Sequence, residues 1–428
     1  MTTTENQKSF FQTTTAKMIM VGILTILLLI PLNYVQDLIN ERSLRQKDVE
    51  KETTEKWGKS VYFYGPILKI PYKDPISKKN EYAYFFPNKL DNKTKTTITK
   101  PLQRSIYSSN VFKTEMNFTG NYLKANFDLK NIPSQNIFWD QAKIIIKTTN
   151  LKSIKEEVKI KFDNNEYIFE PIHNQKQNDT IESLETAPFN YATSSNYTNF
   201  NLNIIYNGSN QIKIIPIGKT TNATMTSNWS SPKFDGNFLP NTKEINAKGF
   251  IANWKILHFN RPFSQTYFEN LPNLKKYGFS VDFITTVNEY QQNERASKYG
   301  FLVIGLTFLI FFLIQSFSKI NIHIFQYSMI GIALLMFYTL LIAITEHSSF
   351  TFAYSIASIS VVLLISLYSI SILKNNKFPL LIASSLSILY TFIYVIIQLE
   401  DYALLVGSIG LFLILSSVMY ISRKIDWK

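Results

Sequence analysis

Residues 300–318, GFLVIGLTFLIFFLIQSFS, form a run of 19 residues that contains no Lys, Arg, Asp or Glu. Because an α-helix rises 1.5 Å per residue, about 20 apolar residues cross the roughly 30 Å hydrocarbon core of a bilayer. A helix that covers the core of a soluble protein keeps a polar face, and this run has no charged residue to form one. The run therefore predicts a transmembrane helix.

Five further runs without charged side chains are present, and four of them follow residues 300–318 directly. They are residues 18–36, 320–345, 348–373, 378–399 and 402–422, each between 19 and 26 residues long. All five reach the length that spans a bilayer. The predicted fold class is a membrane α-helical protein with six transmembrane helices, five of which form a bundle over residues 300–422.

The first run, residues 18–36, has two interpretations, a cleaved signal peptide or a signal anchor that stays in the protein. Its apolar core is followed by PLNYV at residues 31–35, which lacks the small residues of a cleavage site. We therefore expect an uncleaved signal anchor. Residues 37–57 contain no Gly or Pro and many helix-forming residues, so they predict a helical stalk that prolongs this helix.

The short loops between the runs carry charges of opposite sign on the two sides of the membrane. One side holds Lys319, Lys374 and Lys377, and the other holds Glu346, Glu400 and Asp401. Because cytoplasmic loops are rich in Lys and Arg, this pattern predicts cytoplasmic N- and C-termini and places residues 37–299 outside the cytoplasm.

The segment outside the cytoplasm is basic, with 36 Lys and Arg against 26 Asp and Glu between residues 37 and 299. A domain on that side of the membrane does not bind cytoplasmic nucleic acid. Its charge fits contact with anionic lipid head groups or acidic envelope polymers. The alternative is a solvated basic surface without a ligand.

Residues 61–284 are rich in short segments with the Ile, Tyr, Phe and Val content of β-strands, such as YFYGPILKIPYK, KIIIKTT, FNLNIIYNG and QIKIIPIG. Asn207-Gly208, between two of these segments, predicts a hairpin turn. The pattern indicates an antiparallel sheet or a β-sandwich.

The predicted organisation runs in seven parts along the chain. They are a cytoplasmic tail (1–17), the signal anchor (18–36), a helical stalk (37–60), a β-rich periplasmic domain (61–284), a second stalk (285–299), the transmembrane bundle (300–422) and a second cytoplasmic tail (423–428).

Catalytic and metal-binding motifs are missing from the sequence. The chain has no cysteine and four widely separated histidines, and it contains no G-x-S-x-G, H-E-x-x-H or Walker sequence. We therefore expect no enzyme activity, no cofactor and no metal. The alternative function is a transporter or channel component whose periplasmic domain captures the substrate. The sequence disfavours it, because an ion-coupled transporter needs ionisable groups within its spans and these runs lack them.

Charged residues at the predicted periplasmic surface of the membrane form a candidate site that couples the β-rich domain to the bundle. Its members are Glu41, Arg42, Arg45, Arg295 and Lys298 on the two stalks, and Glu346, His347, Glu400 and Asp401 on the loops of the bundle. Ion pairs near the head groups are strengthened by partial desolvation. A second interpretation of the four loop residues is a metal site or an acidic mouth.

The segment PIGKTTNATMTSNWSSPKFDGNFLP, residues 216–240, combines several turn sequences with aromatic residues. One interpretation is a ligand-facing loop built from Trp229, Phe234, Asp235, Gly236 and Phe238. The other is a packed connection between strands.

Several of these segments resemble the CreD family of bacterial inner-membrane proteins, and the resemblance covers nearly the whole chain. The residues that carry it include Asn40-Glu41-Arg42, Gly65-Pro66, Pro216-Ile217-Gly218, Gly236-Asn237-Phe238-Leu239-Pro240, Arg295-Ala296-Ser297-Lys298-Tyr299, Thr345-Glu346-His347 and Gln398-Leu399-Glu400-Asp401-Tyr402. The resemblance implies a multi-pass inner-membrane protein linked to envelope integrity and colicin tolerance, and it implies no known reaction.

Overall fold

A computed structural model describes residues 14–99, 102–104, 107–172, 181–191, 197–283, 289–318, 320–373, 377–399 and 402–423. The chain divides into two compact units. We call Met1–Lys47 together with Val287–Lys428 the bundle unit, and Asp48–Thr286 the sheet unit.

Seven α-helices are present in the described part of the chain. They are α1 (Thr14–Trp57), α2 (Glu289–Lys298), α3 (Gly300–Ser318), α4 (Ile324–Thr345), α5 (Phe350–Leu373), α6 (Lys377–Gln398) and α7 (Ala403–Ser422). All of them except α2 are long and apolar enough to cross a membrane. The six predicted membrane helices are therefore confirmed.

Helix α1 has 44 residues and continues through residues 37–57 to Trp57. Its apolar part packs on the bundle where glycines allow a close approach. A Cβ on Gly300 would lie 2.7 Å from Leu32, and one on Gly331 would lie 2.2 Å from Leu28. Leucine side chains of α1 therefore pack directly against the backbone at these glycines.

The core of the bundle is built from buried residues of α1 to α6. Ala353 and Ala357 of α5 are 0% exposed and bring the helix backbones together, as their small side chains predict. Next to them, the rings of Phe337 and Tyr390 lie 4.7 Å apart. In contrast, no residue of α7, Ala403–Ser422, is buried.

Eighteen strands are present in the described residues. They are β1 (Val61–Lys73), β2 (Asn80–Phe85), β3 (Lys89–Ile98), β4 (Leu102–Arg104), β5 (Tyr107–Ser109), β6 (Val111–Leu123), β7 (Lys143–Thr148), β8 (Lys159–Phe162), β9 (Asn165–Ile172), β10 (Glu182–Thr186), β11 (Tyr197–Ser209), β12 (Gln211–Ile214), β13 (Thr220–Ser227), β14 (Lys233–Gly236), β15 (Thr242–Asn246), β16 (Gly249–Leu257), β17 (Thr266–Phe268) and β18 (Phe279–Asp282).

Sixteen of these strands form one sheet with the order β14-β18-β12-β1-β7-β10-β9-β8-β11-β6-β3-β13-β16-β15, in which β2 also pairs with β1 and β17 pairs with β2. Two neighbouring pairs, β1–β12 and β3–β13, are parallel. The remaining pairs are antiparallel, so the sheet is mixed but mostly antiparallel, as predicted.

Aromatic side chains join the two ends of this long sheet in one core. Phe63 of β1 stacks on Phe118 of β6 with ring centroids 4.1 Å apart. Trp254 of β16 stacks on Phe279 of β18 at 4.9 Å. Strands far apart in the sheet order therefore face each other, which is the packing of a β-sandwich.

The predicted hairpin at Asn207-Gly208 is wrong. Both residues lie inside β11, where Gly208 is paired with Phe112 of β6. A Cβ on Gly208 would lie 2.5 Å from the Phe112 ring, so the glycine serves close packing rather than a turn. The chain bends at Asn210, which has a φ of 62°, and β12 pairs with β1 and β18 instead of β11.

Candidate functional site

Helix α2 is a polar helix, and half of its ten residues are buried in the bundle unit: Tyr290, Gln292, Asn293, Ala296 and Ser297. Buried amides and hydroxyls are costly unless they find hydrogen-bond partners. The partners of α2 come from three other helices, and we call Gln292, Asn293, Arg295, Ser297 and their partners the α2 cluster.

Neutral side chains form the inner part of the α2 cluster. Gln36 of α1 donates from Nε2 to the carbonyl oxygen of Ser297 at 3.1 Å. Thr345 of α4 and Asn293 approach to 3.5 Å between Oγ1 and Oδ1. Asn293 is 0% exposed, and its Nδ2 has no partner in the described part of the chain. The amide is therefore held by one long contact.

The C-terminal end of α6 is the third partner of α2. Nη1 of Arg295 donates to the carbonyl oxygen of Ile397 at 3.4 Å, and Nε2 of Gln292 lies 3.5 Å from Oε1 of Gln398. A cation at this position satisfies a free carbonyl and opposes the negative end of the helix dipole. Arg295 therefore contacts a backbone carbonyl here. Its predicted partners Glu400 and Asp401 lie outside the described residues.

An ion pair joins α1 to α4 in the same unit. Nε of Arg42 on α1 lies 3.5 Å from Oε1 of Glu346, which caps the C-terminus of α4. The carboxylate is shielded, with 18% of its side chain exposed, whereas the Arg42 side chain is 44% exposed. Of the charged pairs that the sequence suggests between the first stalk and the loops, this is the one that the structure brings together among the described residues.

The other predicted members of the site are placed apart from this ion pair. Lys298 forms an i,i+4 pair with Glu294 within α2, at 2.7 Å. Glu41, Arg45 and His347 have exposed side chains. Within the described ranges, no group of three or more His, Cys, Asp or Glu residues is arranged to hold a metal ion.

Sequence reasoning overlooked the neutral half of the α2 cluster. Gln292, Asn293, Ala296 and Ser297 recur at the spacing of one helix face, so a face made of small and amide side chains was visible in QQNERASK. Charge patterning does not reveal this face, because uncharged polar residues carry no long-range electrostatic signal.

Residues 216–240, the segment with the candidate ligand-facing loop, pack within the sheet unit. Phe234 lies in β14, with its ring 5.6 Å from Phe250 and 5.9 Å from Trp254. Nε1 of Trp254 donates to the carbonyl oxygen of Phe238 at 3.2 Å. Trp229 is half-buried against the same core. The aromatic members of the segment therefore serve packing.

Asp235 and Gly236 are the exposed members of that segment. Both belong to β14 and pair with Ser280 and Phe279 of β18. The φ of Gly236 is +94°, and a Cβ there would lie 2.4 Å from the carbonyl oxygen of Gly278. The contacts of this segment among the described residues are with the sheet unit itself, and a ligand-facing role for Trp229, Phe234, Asp235, Gly236 and Phe238 stays a prediction.

One broad surface of the sheet unit carries seven lysines. The outward positions of β8, β11, β6, β3, β13 and β16 share one face, since their registers set Lys161 opposite Asn201 and Lys93 opposite both Asn117 and Thr224. We call this surface the lysine face; its lysines are Lys89, Lys93, Lys95, Lys113, Lys159, Lys161 and Lys255.

Amides and hydroxyls fill the spaces between these lysines. Asn117 donates to Asn201 at 3.1 Å, and Asn222 donates to Asp91 at 2.7 Å. Asp91 and Glu115 are the acidic residues at the outward positions of the six strands, so lysines outnumber acids there. The lysine face is therefore a polar and positively charged surface.

Comparisons with known proteins identify relatives of the whole chain. The family described as "Inner membrane protein CreD" matches residues 13–428. The inner membrane protein CreD of Escherichia coli strain K12 is 28% identical over 422 residues, which cover 94% of this chain and 91% of that protein.

Solved structures share only distant likeness with the chain. A candidate nutrient-binding protein from Legionella pneumophila has 8% identity and a TM-score of 0.25, covering 57% of this chain and 76% of its own. A candidate protease from Parabacteroides distasonis has 8% identity and a TM-score of 0.23, covering 59% and 50%. Likeness at this level carries no conclusion about activity.

Proposed function

Since the chain belongs to the CreD family of inner membrane proteins, we propose that it maintains the integrity of the cell envelope without catalysing a reaction. The six apolar helices make it a multi-pass protein of the inner membrane. In this proposal the sheet unit binds an anionic component of the envelope, and the α2 cluster holds α1, α2, α4 and α6 together within the bundle unit.

The proposed orientation has both termini in the cytoplasm and residues 37–299 in the periplasm. Its support is the positive-inside distribution of the loop charges. Because the chain lacks cysteine, single substitutions test it directly. Asn237→Cys, at an exposed position, should react with a membrane-impermeant maleimide in spheroplasts, and Arg423→Cys should react only after lysis. The opposite labelling would reject the orientation.

The lysine face supports the binding part of the proposal. Several lysines on one surface, interleaved with Asn and Thr, offer both charge and hydrogen bonds to an anionic polymer. An exposed surface of this kind acts through screened electrostatics, so its binding should weaken as the salt concentration rises.

The binding experiment uses the full-length protein in nanodiscs of neutral lipid. Sedimentation with purified peptidoglycan sacculi, and separately with lipopolysaccharide, measures the bound fraction. The triple variant Lys93→Gln, Lys95→Gln and Lys161→Gln should bind several-fold less and lose most of the salt dependence.

A matched control removes the same charge elsewhere on the sheet unit. Lys73, Lys78 and Lys79 are exposed residues outside the lysine face, so their triple replacement by Gln should retain binding. Equal losses in both triple variants would mean that net charge acts without a defined face, and no loss in either would reject the lysine face as the binding surface.

A further inference from the structure

A groove with a volume of about 470 Å³ lies between α5 and α6 of the bundle unit. This volume is within the range of sites that hold small molecules. All eleven residues that line the groove are uncharged. A ligand would therefore be recognised by hydrogen bonds and apolar contact rather than by charge.

Hydroxyl groups from both helices point to this groove at matching intervals. Thr351, Ser355 and Ser358 of α5 follow the spacing of one helix face, and so do Ser387, Thr391 and Tyr394 of α6. All six side chains are exposed or half-buried. They lie in helices that cross the membrane, where unpaired hydroxyls are costly.

The serine hydroxyls have partners inside their own helices. Ser355 donates to the carbonyl oxygen of Thr351 at 2.8 Å, and Ser387 donates to that of Ala383 at 2.8 Å. Such bonds satisfy the O–H group and leave the lone pairs of the oxygen free. The serine oxygens therefore make the groove polar, and the serines are satisfied there without a hydrogen bond from a ligand.

The Thr351 and Tyr394 hydroxyls differ from the serines because they bond to each other across the groove, at 3.0 Å. One hydroxyl donates its hydrogen to the other, and the accepting hydroxyl keeps a hydrogen that this pair does not use. That second hydrogen is a donor available at the mouth of the groove.

The depth of the pair in the membrane follows from the helix ends. Thr351 is the second residue of α5, and Tyr394 lies one turn before the end of α6. At 1.5 Å per residue, the pair lies within roughly 6 Å of these ends. Deeper in the groove, Ile359, Val362 and Leu363 form an apolar floor. Ser358 and Ser387 also line this deeper part, but their hydroxyls are bonded within their own helices, so the groove becomes more apolar toward the middle.

We propose that this groove binds a diacyl glycerophospholipid of the surrounding bilayer. An ester carbonyl oxygen of the lipid accepts the spare hydrogen of the Thr351–Tyr394 pair, and the acyl chain below it covers Ile359, Val362 and Leu363. Ester groups lie at the boundary of the hydrocarbon core, the depth of the pair. Since the lining is uncharged, the head group is not selected by charge. The inference holds for either orientation in the membrane.

The experiment measures the lipid that stays bound to the full-length protein in detergent, by native mass spectrometry. The probes are dioleoyl phosphatidylethanolamine, dioleoyl phosphatidylglycerol and the ether-linked analogue of the former. The wild type should retain both ester lipids equally and the ether lipid roughly two- to tenfold less, which is the range for one hydrogen bond.

Two variants test the proposed lipid binding. The double variant Thr351→Val and Tyr394→Phe keeps the shape of the pair, and it should retain ester and ether lipids equally at the level of the wild type with ether lipid. Ser387→Leu fills the groove and should lower the retention of every probe. The control Ser366→Ala and Tyr368→Phe removes two hydroxyls of α5 outside the groove and should behave as the wild type.

Three outcomes would overturn the proposal. They are an unchanged preference for the ester lipid in the double variant, an unchanged retention in Ser387→Leu, and an equal loss in the control variant. Thermal unfolding of each variant in lipid-free detergent checks that it is folded. The double variant should unfold at a slightly lower temperature because it loses the hydrogen bond between α5 and α6, and its test is therefore the ratio of ester to ether lipid that it retains.

Discussion

Nε of Arg42 lies 3.5 Å from Oε1 of Glu346, and this ion pair joins the extended part of α1 to the C-terminal end of α4. It is an ion pair between α1 and α4, whereas the α2 cluster is held by hydrogen bonds. Because Arg42 is 44% exposed, solvent weakens the pair, and its coupling free energy should be about 0.5 kcal/mol.

Charge reversal tests this coupling. Arg42→Glu and Glu346→Arg should each destabilise the bundle unit, and the double reversal should recover part of the loss because opposite charges face each other again. A cysteine at the fully buried position Ala357, added to every variant, reports opening of the bundle through its rate of reaction with a maleimide.

The control for charge reversal is the Glu294–Lys298 pair within α2, at 2.7 Å. Reversing Lys298 together with Glu346 should show no recovery. If the effects of the Arg42 and Glu346 reversals are additive in the double variant, both for opening of the bundle and for the envelope tolerance of cells, the two residues are not coupled.

Asn293 provides a second prediction, because its amide is fully buried and Nδ2 has no partner among the described residues. Asn293→Leu has a similar volume and removes the unsatisfied donor, so it should be neutral or stabilising. Asn293→Asp places a carboxylate in the same space and should destabilise the bundle unit by several kcal/mol near neutral pH. The cysteine reporter at Ala357 distinguishes the two. A strongly destabilising Asn293→Leu would instead show that the amide makes an essential contact.

The membrane helices could be predicted from the sequence because the bilayer imposes a length and excludes charge. These two conditions act locally, and residues 300–318 became α3 with unchanged limits. The β-rich segment was recognisable for a similar reason, since YFYGPILKIPYK carries its strand preference in its own composition and became most of β1.

Partners that are distant in sequence could not be predicted in this way. Asn293 meets Thr345 across 52 positions, and Gln36 meets Ser297 across 261. The error at Asn207-Gly208 has the same origin. The dipeptide favours a turn locally, but pairing with β6 and the Phe112 ring determine the conformation, and β6 lies far away in the sequence.

Glu185 gives a prediction about pH. It accepts hydrogen bonds from Nζ of Lys69 at 2.6 Å and of Lys143 at 2.9 Å. Burial opposes ionisation of the carboxyl, but the hydrogen bonds and positive charges of the two lysines outweigh it and hold the pKa of Glu185 below its usual value of 4.5. The ionised form is therefore favoured in the folded sheet unit.

A lowered pKa in the folded state means that the stabilisation is complete above pH 4.5 and is lost as the pH falls through the folded-state value. Glu185→Gln should lower the free energy of unfolding by about 1–3 kcal/mol at pH 7 and by much less at low pH. Intrinsic fluorescence measures this, because four of the five tryptophans, Trp57, Trp139, Trp229 and Trp254, lie in the sheet unit. Glu244→Gln, on the fully exposed strand β15, is the control and should show no pH-dependent difference.

Gly236 gives the last prediction, because its backbone conformation and its surroundings both exclude a side chain. Its φ is +94°, and a Cβ would lie 2.4 Å from the backbone oxygen of Gly278, which cannot rotate away as a flexible side chain would. Gly236→Ala should therefore destabilise the sheet unit by roughly 1–3 kcal/mol. The tryptophan fluorescence transition should move to lower temperature, and the β14–β18 pairing that places Phe234 against Trp254 should loosen first.

The matched control for this substitution is Gly305→Ala in α3, where a Cβ would meet nothing within 4 Å. Since Ala has a higher helix propensity than Gly, this variant should be neutral or slightly stabilising. If Gly236→Ala leaves the fluorescence transition unchanged, β14 does not hold the segment in this conformation. The exposed Asp235 and Gly236 would then regain the freedom expected of a ligand-facing loop.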